Sequence, residues 1–131
     1  MKSYFTEDEL RCQHTGIYKT DPDFLRKLNA IRHECGFPFV ITSGYRHESH
    51  PIEARKERPG SHSTGRAVDI AVYGKQAFKV IEVALKHGMT GIGVNQKGTG
   101  RFIHLDDIDG GLHKSHSEIS SMMSIDVFRR S

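Results

Sequence analysis

The sequence predicts an α+β domain, in which two main helices pack against a small, mostly antiparallel sheet. Three observations carry this expectation. Apolar residues recur at helical spacing over 22–35 and again over 76–87, short β-branched or alternating segments lie between and after them, and 131 residues suit one domain. A hydrophobic share of 36% beside a charged share of 27% separates the chain from disordered sequences. The expectation is a single domain over 1–131, with 108–131 a weakly structured tail.

Each element has its own signal. Thr6 and Glu9 have capping-box spacing, and Glu7, Asp8 and Glu9 favour a helix N-terminus, so a short helix is expected over 6–12. Asp21 then Pro22 supplies an N-cap acid followed by proline at the first helical position. Phe24, Leu25, Leu28, Ile31 and Cys35 form the buried face of the helix over 22–35, with Cys35 a small core hydrophobe, and Gly36 and Pro38 stop it. Residues 39–42 read as a buried strand leading into Ser43-Gly44-Tyr45-Arg46. The polar stretch 47–60, with two prolines, is a loop of a length that is usually functional or mobile.

Residues 66–72 alternate. Val68, Ile70 and Val72 share the core face of a strand, and Ala67, Asp69 and Ala71 share the other. A second amphipathic helix over 76–87 presents Ala77, Phe78, Ile81, Ala84 and Leu85 and is closed by Gly88. Residues 91–94 and 101–106 read as strands joined by the turn Lys97-Gly98-Thr99-Gly100. On the second of these, Phe102, His104 and Asp106 face one way and Ile103 and Leu105 the other. After Asp107 the tail is rich in Ser, His and Gly, with a terminal turn expected around 122–128. These signals leave the strand order open.

Composition excludes several classes of function. A net charge of +3 without a clustered stripe gives no basis for nucleic-acid binding. No run of 18 apolar residues is present to span a bilayer, and the start MKSYFTEDEL has neither the apolar stretch nor the cleavage site of a secretory signal. Cys12 and Cys35 make neither a disulfide scaffold nor a four-cysteine zinc site. Nine histidines are the unusual feature.

Two segments concentrate chemistry: Ser61-His62-Ser63-Thr64-Gly65-Arg66-Ala67-Val68-Asp69, and the run Phe102-Ile103-His104-Leu105-Asp106, whose histidine lies 35 residues beyond Asp69. A catalytic zinc site needs three protein ligands and one open position, and imidazole with carboxylate suits that ion. Taken singly, His62 could be a hydrated loop histidine, His104 a core histidine, and Asp69 a carboxylate offset by Arg66 or a backbone amide. A carboxylate in an apolar strand costs several kcal/mol unless compensated. The three together favour a metal.

The segments SGYR, SHSTGRAVDIAV, GIGV and FIHLDD resemble the zinc D-Ala-D-Ala carboxypeptidase superfamily of peptidoglycan peptidases, which has the hedgehog/D-Ala-D-Ala peptidase fold. The likeness is strongest to its small single-domain phage and bacterial members and spans roughly residues 5–107. It implies one Zn2+ ion held by His62, Asp69 and His104, with Arg46 at the substrate carbonyl oxygen or oxyanion. It also implies cleavage of stem peptides, as carboxypeptidase or endopeptidase, by a zinc-activated water. Many relatives carry an acid three residues before the last zinc histidine, or a histidine two before it, as general base. Those positions are Arg101 and Phe102 here, and neither accepts a proton. Asp106, on the same strand side as His104, is the candidate replacement; its other role would be to orient a ligand histidine. Asp107, His113 and His116 are weaker candidates.

His33 and His87 fall near helix C-termini, His47 and His50 lie in the loop expected to border a substrate cleft, and Cys12-Gln13-His14 supplies too few ligands for a second metal. Arg46, Arg55, Lys56, Arg58 and Arg66 would attract the carboxylates of a wall peptide. The expected partner is therefore a peptidoglycan peptide, with no nucleic acid and no membrane, and the chain is expected to be a monomer. It would be made in the cytoplasm and reach the wall after release, or as a virion component if phage-encoded. The alternative is a non-catalytic, zinc-containing domain that binds the wall or sits in a virion. A metal-dependent nuclease is disfavoured by the absence of His-Asn-His or finger spacing.

Overall fold

Thr6 begins the first helix, α1 (Glu7–Leu10), with a complete capping box: its hydroxyl accepts the Glu9 amide at 3.2 Å, and the Glu9 carboxylate accepts the Thr6 amide at 3.0 Å. The structure is a computed structural model and describes residues 3–47, 61–108 and 126–129. Helix α2 (Pro22–Cys35) starts and ends where its signals place it. Asp21 accepts the amides of Asp23 and Phe24, and Gly36 closes the helix in the left-handed region at φ 77°. Phe24, Leu28 and Ile31 are fully buried, whereas Cys35 is half-buried at the edge of the core, and desolvation pushes its thiol up to about 11.

Helix α3 (Gly74–Lys86) departs from expectation on one point. Its buried stripe is Ala77, Val80, Val83 and Ala84, while Phe78 is 70% exposed and Leu85 38% exposed. Phe78 follows Ala77 by one residue, about 100° around the helix, so it cannot share the stripe that Ala77, Val80 and Ala84 define.

Among the described residues, five strands form one antiparallel sheet: β1 (Val40–Ser43), β2 (Ala67–Ala71), β3 (Gly91–Asn95), β4 (Phe102–Asp106) and β5 (Asp126–Arg129), in the order β1-β2-β4-β3-β5. Where a terminal turn around 122–128 was expected, residues 126–129 form the edge strand β5 and pair with β3, and Val127 and Phe128 are strand formers. The rest of the expected tail, 109–125 and 130–131, and most of the loop, 48–60, lie outside the described residues.

The sheet's two faces differ in chemistry. Val68, Ile70, Ile92, Ile103 and Leu105 are buried in one core with α2 and α3. The period of two then turns Asp69, His104 and Asp106 to the opposite face. Register sets the rows on that face: Asp69 stands opposite His104, which stands opposite Gly93, and Ala67 stands opposite Asp106, which stands opposite Gly91.

Candidate metal and catalytic centre

The β2–β4 pairing brings together two side chains 35 residues apart. His104 Nδ1 lies 2.9 Å from Asp69 Oδ1, and both side chains keep a sliver of exposure, 14% and 15%. His62 arrives from the 3-10 turn Ser61–Thr64, just ahead of β2. Its buried ring donates from Nδ1 to the Gly44 carbonyl at 2.8 Å, which leaves Nε2 facing Asp69 Oδ1 at 3.3 Å. The two imidazoles meet edge to face, with centroids 5.1 Å apart. One donor atom from each of His62, Asp69 and His104 lies within 4.8 Å of the others, so this group could hold a metal ion.

Electrostatics match the geometry. Burial alone would push the Asp69 carboxyl up, but the charges and hydrogen bonds of His62 and His104 hold it well below the ordinary carboxylate range. Burial pushes His62 down, against the pull of Asp69. Burial also works against a charged His104, but hydrogen bonds to Asp106 and Asp69 win and raise it to about 9. In the metal-free protein a proton on His104 thus supplies positive charge that the carboxylates demand.

Local backbone devices hold the site together. Gly65 adopts φ 76°, and a Cβ there would collide with the Lys19 carbonyl; its own carbonyl accepts the Asp21 amide at 2.8 Å. The turn carrying His62 is thereby docked onto the start of α2. At Gly44 a Cβ would strike the Leu10 main chain, so only glycine lets this segment lie against α1 and offer its carbonyl to His62. Arg46 is fixed to the same turn, its amide donating to the His62 carbonyl at 3.0 Å and its carbonyl accepting the Ser63 hydroxyl at 2.7 Å. Its guanidinium charge is near enough to help depress His62.

The family model described as Peptidase M15 matches residues 3–106, a stretch that includes Arg46, His62, Asp69, His104 and Asp106. The chain belongs to the peptidase M15 family. The match supports the zinc D-Ala-D-Ala carboxypeptidase superfamily that the sequence motifs resemble, and it makes a peptide the class of substrate. No curated protein and no solved structure matches the chain. Among the described residues, no helix of this M15 peptidase is long and apolar enough to cross a membrane.

The remaining expected residues of the M15 peptidase fall in different places. Asp106 is fully buried on the far side of the His104 ring, with Oδ2 2.8 Å from Nε2, so its position favours orienting the histidine. Asp107 is held by a two-point pairing with Arg66 at 2.7–2.8 Å and by Lys27 at 2.9 Å. Arg66 also pairs with Asp21 at 2.9 Å. It is therefore committed to a structural network; it neither offsets Asp69 nor stands ready for substrate. The Tyr4 hydroxyl meets His33 at 2.7 Å and Glu34 meets His87 at 3.0 Å, while the His47 amide donates to Cys12 Sγ at 3.4 Å. His50, Arg55, Lys56, Arg58, His113 and His116 lie outside the described residues. Sequence reasoning missed Gly91, which faces Asp106 across β3–β4; the glycine spacing of Gly91-Ile92-Gly93 inside a strand was the available signal.

Proposed function

We propose that this M15 peptidase is a zinc hydrolase of peptidoglycan stem peptides, acting as a carboxypeptidase or endopeptidase. The observation that carries the reading is the grouping of one donor atom each from His62, Asp69 and His104 within 4.8 Å, with His62 Nε2 and His104 Nδ1 both against Asp69 Oδ1. The donor set passes a chemical test for zinc. Two neutral imidazoles and one carboxylate suit this ion, three ligands leave a position open, and each imidazole has its second nitrogen occupied by an acceptor oxygen. When bound, zinc supplies Lewis-acid polarisation and acidifies a water.

The chain's own residues do the rest. His62 is locked by the Gly44 carbonyl, so its ring needs no reorganisation on binding. Asp69, kept ionised by its neighbours, supplies the negative charge of the ligand set. Arg46, fixed to the His62 turn, binds the substrate carbonyl and meets the negative charge that develops on its oxygen. The same guanidinium favours the carboxylates of stem peptides, the substrate to which the likeness of SHSTGRAVDIAV and FIHLDD points.

The test is incubation of zinc-loaded protein with synthetic stem peptides, with products read by mass spectrometry. Cleavage that a chelator abolishes and added zinc restores is the expected result. Stoichiometric zinc without cleavage would leave the non-catalytic binding domain, a reading that the lack of a proton acceptor at Arg101 and Phe102 favours.

A further inference from the structure

Strand β3 places Gly91 directly opposite Asp106. Glycine in a strand interior weakens it, and Gly91 does not need the left-handed region. Space is what requires it: a Cβ at position 91 would fall onto both oxygens and the carboxyl carbon of Asp106. The carboxylate occupying that space is fully buried, where a charge without partners is expensive. Its Oδ1 accepts the Ile108 amide at 3.3 Å and its Oδ2 faces His104 Nε2 at 2.8 Å.

The two histidines of the centre use different nitrogens. His62 turns Nε2 inward because a neutral carbonyl, that of Gly44, holds its Nδ1. His104 turns Nδ1 inward, and a full carboxylate holds its Nε2. Such an acceptor fixes the ring's tautomer and raises the basicity of the opposite nitrogen.

We infer that Asp106 and Gly91 act together as a positioning pair: Gly91 opens the space in which the Asp106 carboxylate accepts the His104 Nε2 proton, which presents the Nδ1 lone pair to a metal ion beside Asp69. This rests on the zinc reading above and adds to it two residues that touch neither metal nor substrate. The neighbouring Asp107 cannot take the role, because Arg66 and Lys27 occupy its carboxylate.

The experiment measures zinc affinity of the metal-stripped full chain by competition with a chromophoric chelator, for wild type, Asp106→Asn, Asp106→Ala, Gly91→Ala and the Gly91→Ala/Asp106→Ala double variant. Folding is checked by circular dichroism, and nitrogen-15 spectra of the zinc-loaded proteins report the tautomer of His104. Asp106→Ala and Gly91→Ala should each weaken zinc by about 10- to 100-fold. The double variant should bind no more weakly than Asp106→Ala, because the added methyl then enters vacated space. Asp106→Asn should retain the Nε2–H tautomer and lose part of the affinity; it decides the matter if the other variants fail to fold. Folded variants that bind zinc within twofold of wild type, or losses that simply add in the double variant, overturn the positioning pair while leaving the zinc site intact. Failure of the wild type to bind zinc overturns the zinc reading itself, and the pair with it.

Discussion

His104 Nδ1 and Asp69 Oδ1 are 2.9 Å apart across neighbouring strands, with a carboxylate on each nitrogen of the same imidazole. A histidine clamped in this way has one orientation, and one donor atom each of His104, His62 and Asp69 lies within 4.8 Å of the others. On the zinc reading, these three residues from three parts of the chain form one ligand set.

Removing any member should therefore remove the whole. His62→Ala, Asp69→Ala and His104→Ala are each expected to lose zinc and at least about 100-fold in activity, beyond the loss typical of an outer partner. Metal analysis of the purified variants beside peptide-cleavage rates checks this. Wild-type zinc content and rate in any one of them would remove that residue from the ligand set.

Arg46 should separate from the ligands in its kinetic signature. Arg46→Ala is expected to keep zinc and to lower kcat by about 100- to 1,000-fold, the scale of losing one oxyanion donor. A change confined to KM would instead make Arg46 a residue of ground-state binding.

The metal-free protein should lose stability on the alkaline side. Folding raises His104 from 6.5 to about 9, so its contribution is fully present below pH 6.5 and disappears as pH rises through 9. His62 is shifted the other way by burial, so its contribution is present above pH 6.5 and lost as pH falls. Thermal melts of metal-free protein from pH 7 to 9.5 should show a falling Tm, and zinc, replacing the His104 proton, should abolish that fall. A Tm that rises across this interval would contradict the assignment of the proton to His104.

Exposed and buried apolar residues should respond differently. Phe78→Ser, at a 70% exposed position, should change stability by less than about 0.5 kcal/mol. Leu105→Ala, in the fully buried row of β4, should cost about 2–5 kcal/mol. Denaturant midpoints distinguish them; a large loss at Phe78 would mean that this face packs on something in solution.

Local signals made much of this legible in the sequence. Asp21-Pro22 and Gly36 bound α2 because capping chemistry is written in adjacent residues. The alternation of Val68, Asp69 and Ile70 and of Ile103, His104 and Leu105 separates core from site because strand period is fixed. What stayed hidden depends on partners distant in the chain. The strand order, the capture of Arg66 by Asp107 and Asp21, and the space Gly91 leaves for Asp106 all arise only once β2, β3 and β4 are paired. On α3 apolar residues run on two adjacent faces, Phe78 and Leu85 beside Val80 and Val83, so spacing alone does not choose the buried one, and the four residues of β5 give too short a pattern to read as a strand.

The central claim is tested most directly by diffraction from zinc-soaked crystals, with anomalous data collected at the zinc absorption edge. One peak touching His62 Nε2, an Asp69 oxygen and His104 Nδ1, with room for solvent on its fourth side, is the predicted result. No peak at that point, or zinc bound elsewhere while these three groups remain metal-free, would contradict it.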